Sequence, residues 1–217
     1  VSKRDLTNDE ELPGATLAIK DMDGNIVTTW VSTDEPHRVT GLHFGESYTL
    51  TEIRAADGYA LADNITFRLI QKTDEGGNPL EECEVYYLTT KNILFWKWDD
   101  WRLLDDATVI MRDDITKVQI SKKDLTTKEE LPGAELVIKD KDGTEIDRWI
   151  STNGPHYVEK MPAGDYTLTE ITAPNGYKVA ESIDFTVLPT GEIQTVVMKD
   201  AREDTPTPTP DNTPTPN

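Results

Sequence analysis

Apolar and polar residues alternate along short stretches of this chain with the two-residue period of a half-buried β-strand. These stretches are Ala15–Lys20, Tyr48–Ile53 and Ile65–Leu69 in the first half of the chain, and Ala134–Lys139, Tyr166–Ile171 and Ile183–Val187 in the second. Glycines, prolines and other turn-forming residues separate them. Several short strands at this spacing predict an all-β chain built from β-sandwiches.

Each half has an Asp-Gly pair soon after its first alternating stretch, at Asp23–Gly24 and Asp142–Gly143. Asp-Gly is a strong signal for a tight β-hairpin because glycine tolerates the positive φ that such turns require. The preceding Asp21 gives the first turn a superficial similarity to a calcium-binding loop, but the closing glutamate of such a loop is missing and strands flank the turn. We therefore favour hairpins, with return strands at Ile26–Val31 and Ile146–Ile150.

The two halves also repeat each other in sequence, which fixes the number of structural units. Val118–Ala134 closely repeats Val1–Ala15. Further matches follow in the same order: Trp30–Thr33 and Trp149–Thr152, Pro36–His37 and Pro155–His156, Tyr48–Glu52 and Tyr166–Glu170, Gly58–Tyr59 and Gly176–Tyr177, Val109–Asp113 and Val196–Asp200. We predict two copies of one domain, at residues 1–115 and 116–203.

The first copy differs from the second by an insertion before its last strand, at about residues 71–106. It contains a predicted strand, Glu84–Thr89, followed by three of the chain's five tryptophans, which are Trp96, Trp98 and Trp101. Clustered tryptophans suit a surface that binds a ligand. They also suit a cover over an edge of the first domain or a seat against the second. We favour this second interpretation because large aromatic side chains are more often buried than exposed.

The secondary structure of the tryptophan segment is ambiguous in the sequence. One set of residues fits one face of a short helix: Leu94, Trp98, Trp101 and Leu104. Trp96 and Trp98 fit one face of a strand equally well. Both interpretations therefore stay open at this stage.

The C-terminal residues 204–217 are rich in proline and threonine and predict an extended spacer with no core of its own. The chain begins inside a repeat and ends inside this tract, so we expect it to be part of a longer protein. It has no apolar run of membrane-spanning length and no visible signal peptide.

The charge and the chemistry of single residues exclude several functions. A formal net charge of -19 argues against nucleic acid and anionic lipid as partners. Cys83 is the only cysteine, so no intrachain disulfide is possible, and we expect an inert thiol. His37 and His156 are equivalent loop residues and His43 stands alone, which predicts packing or turn roles and no metal site. No cofactor is expected.

Three ionisable residues recur at equivalent positions of the two copies. They are Lys3, Glu52 and Asp113 in the first copy, and Lys122, Glu170 and Asp200 in the second. Strand alternation places Lys122 on the face of Ile120, and Asp200 on the face of Met198, hence toward the core. Burial is costly for charges and favours the neutral forms of such groups. The residues alone favour a buried ion-pair cluster, although a neutral amine and a carboxylic acid can also condense to an amide.

The sequence resembles the CnaB-type (SpaA-like, prealbumin-like) domains of Gram-positive surface adhesins and pilins. The resemblance rests on the opening Ser121–Asp124, on Glu129–Ala134 and Tyr166–Glu170, on the Pro174–Tyr177 turn and on the closing Val197–Asp200, with counterparts in the first copy. It implies an inverse-immunoglobulin-like sandwich of about seven strands in each copy. It also implies an intramolecular isopeptide bond from Lys122 to Asp200 assisted by Glu170, and one from Lys3 to Asp113 assisted by Glu52.

On this resemblance the chain is expected to be a structural stalk module of a bacterial adhesin or accessory pilin. Its Lys–Glu–Asp sets would act once on their own chain, so no enzyme activity with turnover is expected. The implied partners are other domains of the same surface protein, peptidoglycan through a sorting signal outside this sequence, and a host protein or glycan. The expected location is extracellular, on the cell wall. The alternative is an adhesin module that binds its ligand through Trp96, Trp98 and Trp101.

Overall fold

The computed structural model of this chain describes residues 1–93 and 96–203, with side chains for all of these except 91–93, 96 and 97. The described residues form strands and no helix. The strands of the first repeat are β1 (Ser2–Asp5), β2 (Thr16–Lys20), β3 (Ile26–Val31), β4 (Ser47–Arg54), β5 (Ile65–Thr73), β6 (Pro79–Ile93), β7 (Trp96–Leu104) and β8 (Ile110–Asp113). Those of the second are β9 (Lys117–Asp124), β10 (Glu135–Asp140), β11 (Glu145–Ile150), β12 (His156–Glu159), β13 (Gly164–Thr172), β14 (Ile183–Val187) and β15 (Ile193–Asp200). No helix of the described chain is long and apolar enough to cross a membrane.

The chain divides into two compact units. Unit 1 comprises residues 1–118 together with 158–164 and 186–194. Unit 2 comprises, of the described residues, 119–157, 165–185 and 195–203. Each unit contains one complete set of the three ionisable residues singled out in the sequence.

Unit 1 contains a six-stranded antiparallel sheet in the order β3-β2-β4-β5-β6-β7 and a two-stranded parallel sheet, β1-β8. Apolar side chains from both sheets form one buried cluster. Leu17, Leu50 and Phe67 come from the larger sheet and Met111 comes from the smaller one. Burying alternate side chains of two sheets against each other is what stabilises a β-sandwich.

The second repeat has the same arrangement with fewer strands. Its sheets have the orders β11-β10-β13-β14 and β12-β9-β15. Leu136, Ile138 and Leu168 of the first sheet are fully buried, as are Ile120 and Met198 of the second to within 2%. The prediction of an all-β chain with two tandem sandwiches is confirmed.

The predicted Asp-Gly turns are tight hairpins. In the first repeat β2 and β3 pair antiparallel, Gly24 has a φ of 87°, and Asp21 Oδ1 accepts hydrogen bonds from the N–H groups of Asp23 and Asn25. Gly143 has a φ of 82° at the equivalent turn. The positive φ explains why glycine stands at both positions.

The insertion of the first repeat is a β-hairpin added to the edge of the larger sheet. β6 pairs with β5 on one side and with β7 on the other, in a continuous register from Val85 opposite Leu104 to Ile93 opposite Trp96. The strand interpretation of the tryptophan segment is therefore correct, and the helix interpretation is wrong. Pairing with β6 provides hydrogen-bond partners for the backbone groups of this segment. The spacing of apolar residues within the segment cannot indicate this pairing, because the pairing depends on another strand.

The two described tryptophan side chains of the hairpin differ in their exposure to solvent. Trp101 is half-buried, and the guanidinium of Arg68 lies 4.3 Å from its ring centroid, whereas Trp98 is 42% exposed. The side chain of Trp96, residue Leu94 and the predicted spacer 204–217 lie outside the described part of the chain.

Candidate cross-linking sites

The first and last strands of the first repeat hold Lys3 and Asp113 in place. β1 and β8 run parallel as direct neighbours, with Lys3 opposite Met111 and Asp5 opposite Asp113. Side chains alternate along a strand, so Lys3 shares the inward face of β1 and Asp113 that of β8. Lys3 is only 2% exposed and Asp113 only 1%. Two groups that are normally charged thus meet inside the sandwich.

Glu52 of β4 completes the first cluster. The Lys3 amine lies 2.9 Å from Glu52 Oε1 and contacts Asp113 Oδ1 directly. The other oxygen of Glu52, Oε2, accepts a hydrogen bond of 2.7 Å from the N–H of Ala62. This bond fixes the carboxyl group so that Oε1 faces the amine.

The second repeat has the same cluster. The Lys122 amine lies 2.9 Å from Glu170 Oε1 and contacts Asp200 Oδ1. Glu170 Oε2 accepts a hydrogen bond of 2.6 Å from the N–H of Ala180. All three ionisable side chains are buried. The two sites therefore share one geometry, built by equivalent residues.

Burial changes the protonation of the two aspartates. It raises the pKa of Asp113 to about 7; the positive charge of Lys3 opposes the rise and the nearby Glu52 adds to it. Burial likewise raises the pKa of Asp200 to about 6, opposed by Lys122 and reinforced by Glu170. Each aspartate can therefore hold a proton at a pH where an exposed aspartate is ionised.

One oxygen of each aspartate is left without a hydrogen bond. Within the described residues, Asp113 Oδ2 and Asp200 Oδ2 are buried and have no hydrogen-bond partner. An orphaned buried oxygen is costly, and native proteins usually avoid it. In each repeat the structure therefore brings an amine into contact with a buried carboxyl group whose second oxygen has no hydrogen-bond partner.

Sequence reasoning missed the backbone groups that orient the glutamates. Ala62 and Ala180 act through their N–H groups, and each stands three residues after the tyrosine of a repeated Gly-Tyr pair. Only that shared spacing could have pointed to them, because a main-chain donor has no residue type of its own.

A second polar pair in each repeat also went unnoticed. The hydroxyl of Tyr59 donates a hydrogen bond of 2.7 Å to Asp5 Oδ2, and Tyr177 donates one of 2.7 Å to Asp124 Oδ2. Each aspartate follows the cluster lysine by two residues. The pair thus ties the Gly-Tyr turn to the strand that carries the lysine.

The remaining candidate residues have packing contacts. His37 stacks on Trp30 with ring centroids 4.5 Å apart, and His156 stacks on Trp149 at 4.2 Å. Cys83 is a half-buried free thiol. Among the residues that the structure describes, no group of histidine, cysteine, aspartate and glutamate side chains is arranged to hold a metal ion.

Fold and site together define a class: an all-β chain of repeated sandwiches, each with a buried Lys–Glu–Asp cluster between its first and last strands. A family model for the SpaA prealbumin-like fold domain matches residues 1–77 and 116–202. The chain belongs to this family. The unmatched segment between the two ranges, residues 78–115, contains the whole β6–β7 hairpin.

Among solved structures the chain is similar to the Bacillus anthracis TIE protein, with 22% identity, 93% of this chain and 33% of that chain covered, and a TM-score of 0.43. It is also similar to a C-terminal fragment of the pilus adhesin SpaC from Lactobacillus rhamnosus GG, with 16% identity, coverage of 94% and 96%, and a TM-score of 0.43. A third is BcpA, the major pilin subunit of Bacillus cereus, with 15% identity, coverage of 93% and 98%, and a TM-score of 0.37. The chain thus spans a third of the TIE protein. The comparison with curated proteins gave no match.

Proposed function

We propose that the chain is a structural stalk module of a bacterial surface adhesin or accessory pilin, and that each repeat closes its own Lys–Asp isopeptide bond. The observation that carries the proposal is the duplicated buried cluster, in which one amine contacts an aspartate and a glutamate inside an apolar sandwich. Membership of the SpaA family supports it. The module acts on no other molecule, so it is not an enzyme with turnover.

The positions of the atoms support the following condensation. The neutral amine of Lys3 attacks Cγ of protonated Asp113, and the new C–N bond forms a tetrahedral intermediate. Glu52, with Oε1 at 2.9 Å from the amine, takes a proton from the nitrogen and returns it to the departing hydroxyl. The C–O bond breaks and one water leaves. In the second repeat Lys122, Glu170 and Asp200 have the same roles.

A bond between the first and last strands suits a stalk under tension. The bonded residues are separated by 110 positions in the first repeat and 78 in the second. Force applied along the chain would pass from Lys3 to Asp113, or from Lys122 to Asp200, through a covalent bond. The residues between them would then carry little of the load. Such a module belongs on the outer surface of a cell, between an anchor and a binding domain.

The intact mass of the denatured chain tests the proposal. We expect a mass two waters below the value calculated from the sequence, and recovery of one water in each of the variants Glu52→Gln and Glu170→Gln. Glutamine keeps the size of the side chain and cannot accept the proton. A mass equal to the calculated value would leave the clusters as buried ion pairs and refute the cross-linked stalk.

A ligand-binding module remains a second candidate because of one observation. A cleft of about 630 Å³ in unit 1 is lined by both strands of the insertion and by β8, including Tyr87, Leu103, Leu104 and Asp105. Trp98, on the same hairpin, is exposed. Quenching of tryptophan emission by acrylamide, compared with the Trp98→Phe variant, tests whether this residue is open to solvent. Emission that resists the quencher in both proteins would count against this candidate.

A further inference from the structure

In the described part of the chain, no other strand pairs with the outer edge of β7. β7 is the last strand of the six-stranded sheet, and its sole strand partner in the described chain is β6. Open edges expose unpaired N–H and C=O groups that can pair with another chain, and proteins usually protect them with prolines, bulges or very short strands. β7 has nine residues, no proline and a regular register with β6. β7 therefore has none of these three protections, although several of its side chains are charged.

The side chains of β7 alternate between two faces. Trp98, Asp100, Arg102 and Leu104 share one face, on which Leu104 packs against the core of unit 1. Asp99, Trp101 and Leu103 share the other face. One large apolar side chain on each face is exposed: Trp98 at 42% and Leu103 at 46%. The edge thus offers an apolar group on both faces together with charges of both signs.

The sequence of β7 determines the registers in which it can pair with the β7 strand of a second copy of this chain. On the outer edge of a strand, every second residue points its N–H and C=O groups outward. In an antiparallel pair the outward-pointing residues of the two strands must lie opposite each other. Two identical strands can therefore pair only about a two-fold axis that passes through a single residue. Given the bounds Trp96–Leu104, an axis at Asp99, Asp100 or Trp101 lets at least seven residues of each strand pair. The first two axes place a carboxylate opposite its own copy, which is destabilising.

The axis at Trp101 places favourable pairs of side chains opposite each other. It sets Asp100 opposite Arg102 of the second copy, and Arg102 opposite its Asp100. It also sets Trp98 opposite the second copy's Leu104, and the two Trp101 rings opposite each other. Opposite charges, apolar pairs and aromatic pairs facing each other across strands each stabilise a sheet. Only this one of the three axes has no like charges facing each other.

We infer that a second copy of this chain docks on β7, antiparallel and about a two-fold axis at Trp101, so that the two six-stranded sheets join edge to edge. Seven paired residues on each side make a smaller interface than the roughly 800 Å² per partner of a stable complex. The dimer is therefore weak and depends on concentration. The inference is independent of the isopeptide bonds, since β7 contains no residue of either cluster.

Sedimentation velocity of the whole chain from about 1 to about 500 µM tests the inference, over the range where small interfaces assemble. The parent protein should move from monomer to dimer. Asp100→Arg places two arginines opposite each other and Arg102→Asp places two aspartates, so each variant alone should weaken dimerisation at least about tenfold. Mixed together, the two variants should form a heterodimer, because every facing pair is then again of opposite charge.

Two controls complete the experiment. The double variant Asp100→Arg/Arg102→Asp reverses both charges within one chain and should recover the dimer. Asp63→Arg changes the net charge by the same amount as Asp100→Arg, but at an exposed loop residue outside β7. It should leave dimerisation unchanged. A parent that stays monomeric at about 500 µM, or single variants that fail to associate when mixed, would overturn the inference. Circular dichroism of each variant checks that it folds.

Discussion

The two repeats build the same cluster inside different surroundings. The amine-to-glutamate distance is 2.9 Å in both, and each glutamate is held by one backbone N–H. The strand that supplies the aspartate differs: β8 has four residues and follows the long hairpin, whereas β15 has eight and follows a short turn. The cluster thus depends on the register near the ends of the strands and tolerates a large change in how the chain reaches them.

The insertion is tolerated because it adds strands to one edge of a sheet and leaves the pairing of first and last strands intact. It lengthens the loop that the bond would close from 78 to 110 positions. Loop-closure entropy grows slowly with length, so the proposed bonds would stabilise the second and the first repeat by about 4.5 and about 5 kcal/mol, which are nearly equal. The comparison therefore predicts similar cross-link energies in two repeats of unequal size.

The largest expected effect comes from removing the aspartates. Asp113→Ala and Asp200→Ala each prevent one bond and leave the lysine paired with its glutamate, so no buried charge loses its only partner. Each variant should lower the free energy of unfolding of its own repeat by about 4–6 kcal/mol, and the melting temperature by roughly 20–40 °C. Differential scanning calorimetry measures both. A difference of more than about 2 kcal/mol between the two losses would contradict the equality argued from loop length.

The next effect, about tenfold, concerns the pH at which each bond forms. Condensation needs the neutral amine as well as the protonated aspartate. As the pH rises, the fraction of neutral amine increases tenfold per unit, whereas the fraction of protonated aspartate falls tenfold per unit only above its pKa. The product of the two fractions therefore rises with pH and levels off at the pKa of the aspartate. Because burial raises the pKa of Asp113 to about 7 and that of Asp200 to about 6, formation should level off near pH 7 in the first repeat and near pH 6 in the second. At pH 5 the second bond should therefore form about ten times faster than the first, each relative to its own maximum.

This pH difference can be measured on chain that folds from denaturant. Asp200→Ala reports the first bond alone and Asp113→Ala the second. Each is refolded at pH 5 to 8, stopped with acid at intervals and weighed for the loss of one water. Identical pH profiles, or a first bond whose rate levels off at the lower pH, would show that burial does not control the reaction.

The sequence predicted much of this arrangement because strand alternation and repetition are local signals. The period of two placed Lys122 on the face of Ile120, and both residues are 2% exposed in the structure. The Asp-Gly pairs specified hairpins because their glycines need positive φ. For the lysine clusters, recurrence of the three residue types in both halves identified the members before any distance was known.

Other features depend on tertiary contacts that leave no local signal. The segment around Trp98 and Trp101 fits a helix or a strand by spacing alone, and pairing with β6 decides for the strand. The hydrogen bonds from Ala62 and Ala180 come from the main chain, so no residue type marks them. The raised pKa values of Asp113 and Asp200 arise from burial among residues that are distant in sequence, which no local pattern expresses.

The smallest predicted effect concerns the stacked histidines. His156 stacks on Trp149 and its Nε2 lies 2.7 Å from Asp147 Oδ2. His37 stacks on Trp30, but Thr28 occupies the position equivalent to Asp147, and burial together with the N-terminal amine lowers the pKa of His37 below its usual 6.5. A folded-state pKa below the unfolded value means that this group costs stability as the pH falls below about 6.5.

Thr28→Asp should give His37 the partner that His156 already has. A carboxylate beside the ring favours the imidazolium, so the pKa of His37 should rise above that of the parent, and the first repeat should gain about 1 kcal/mol of stability at pH 5. Thr28→Asn, which has the same shape without the charge, is the matched control and should leave the pKa close to the parent value. An NMR titration of the His37 ring protons measures the shift. If the aspartate and asparagine variants titrate alike, a carboxylate at position 28 does not favour the protonated form of His37.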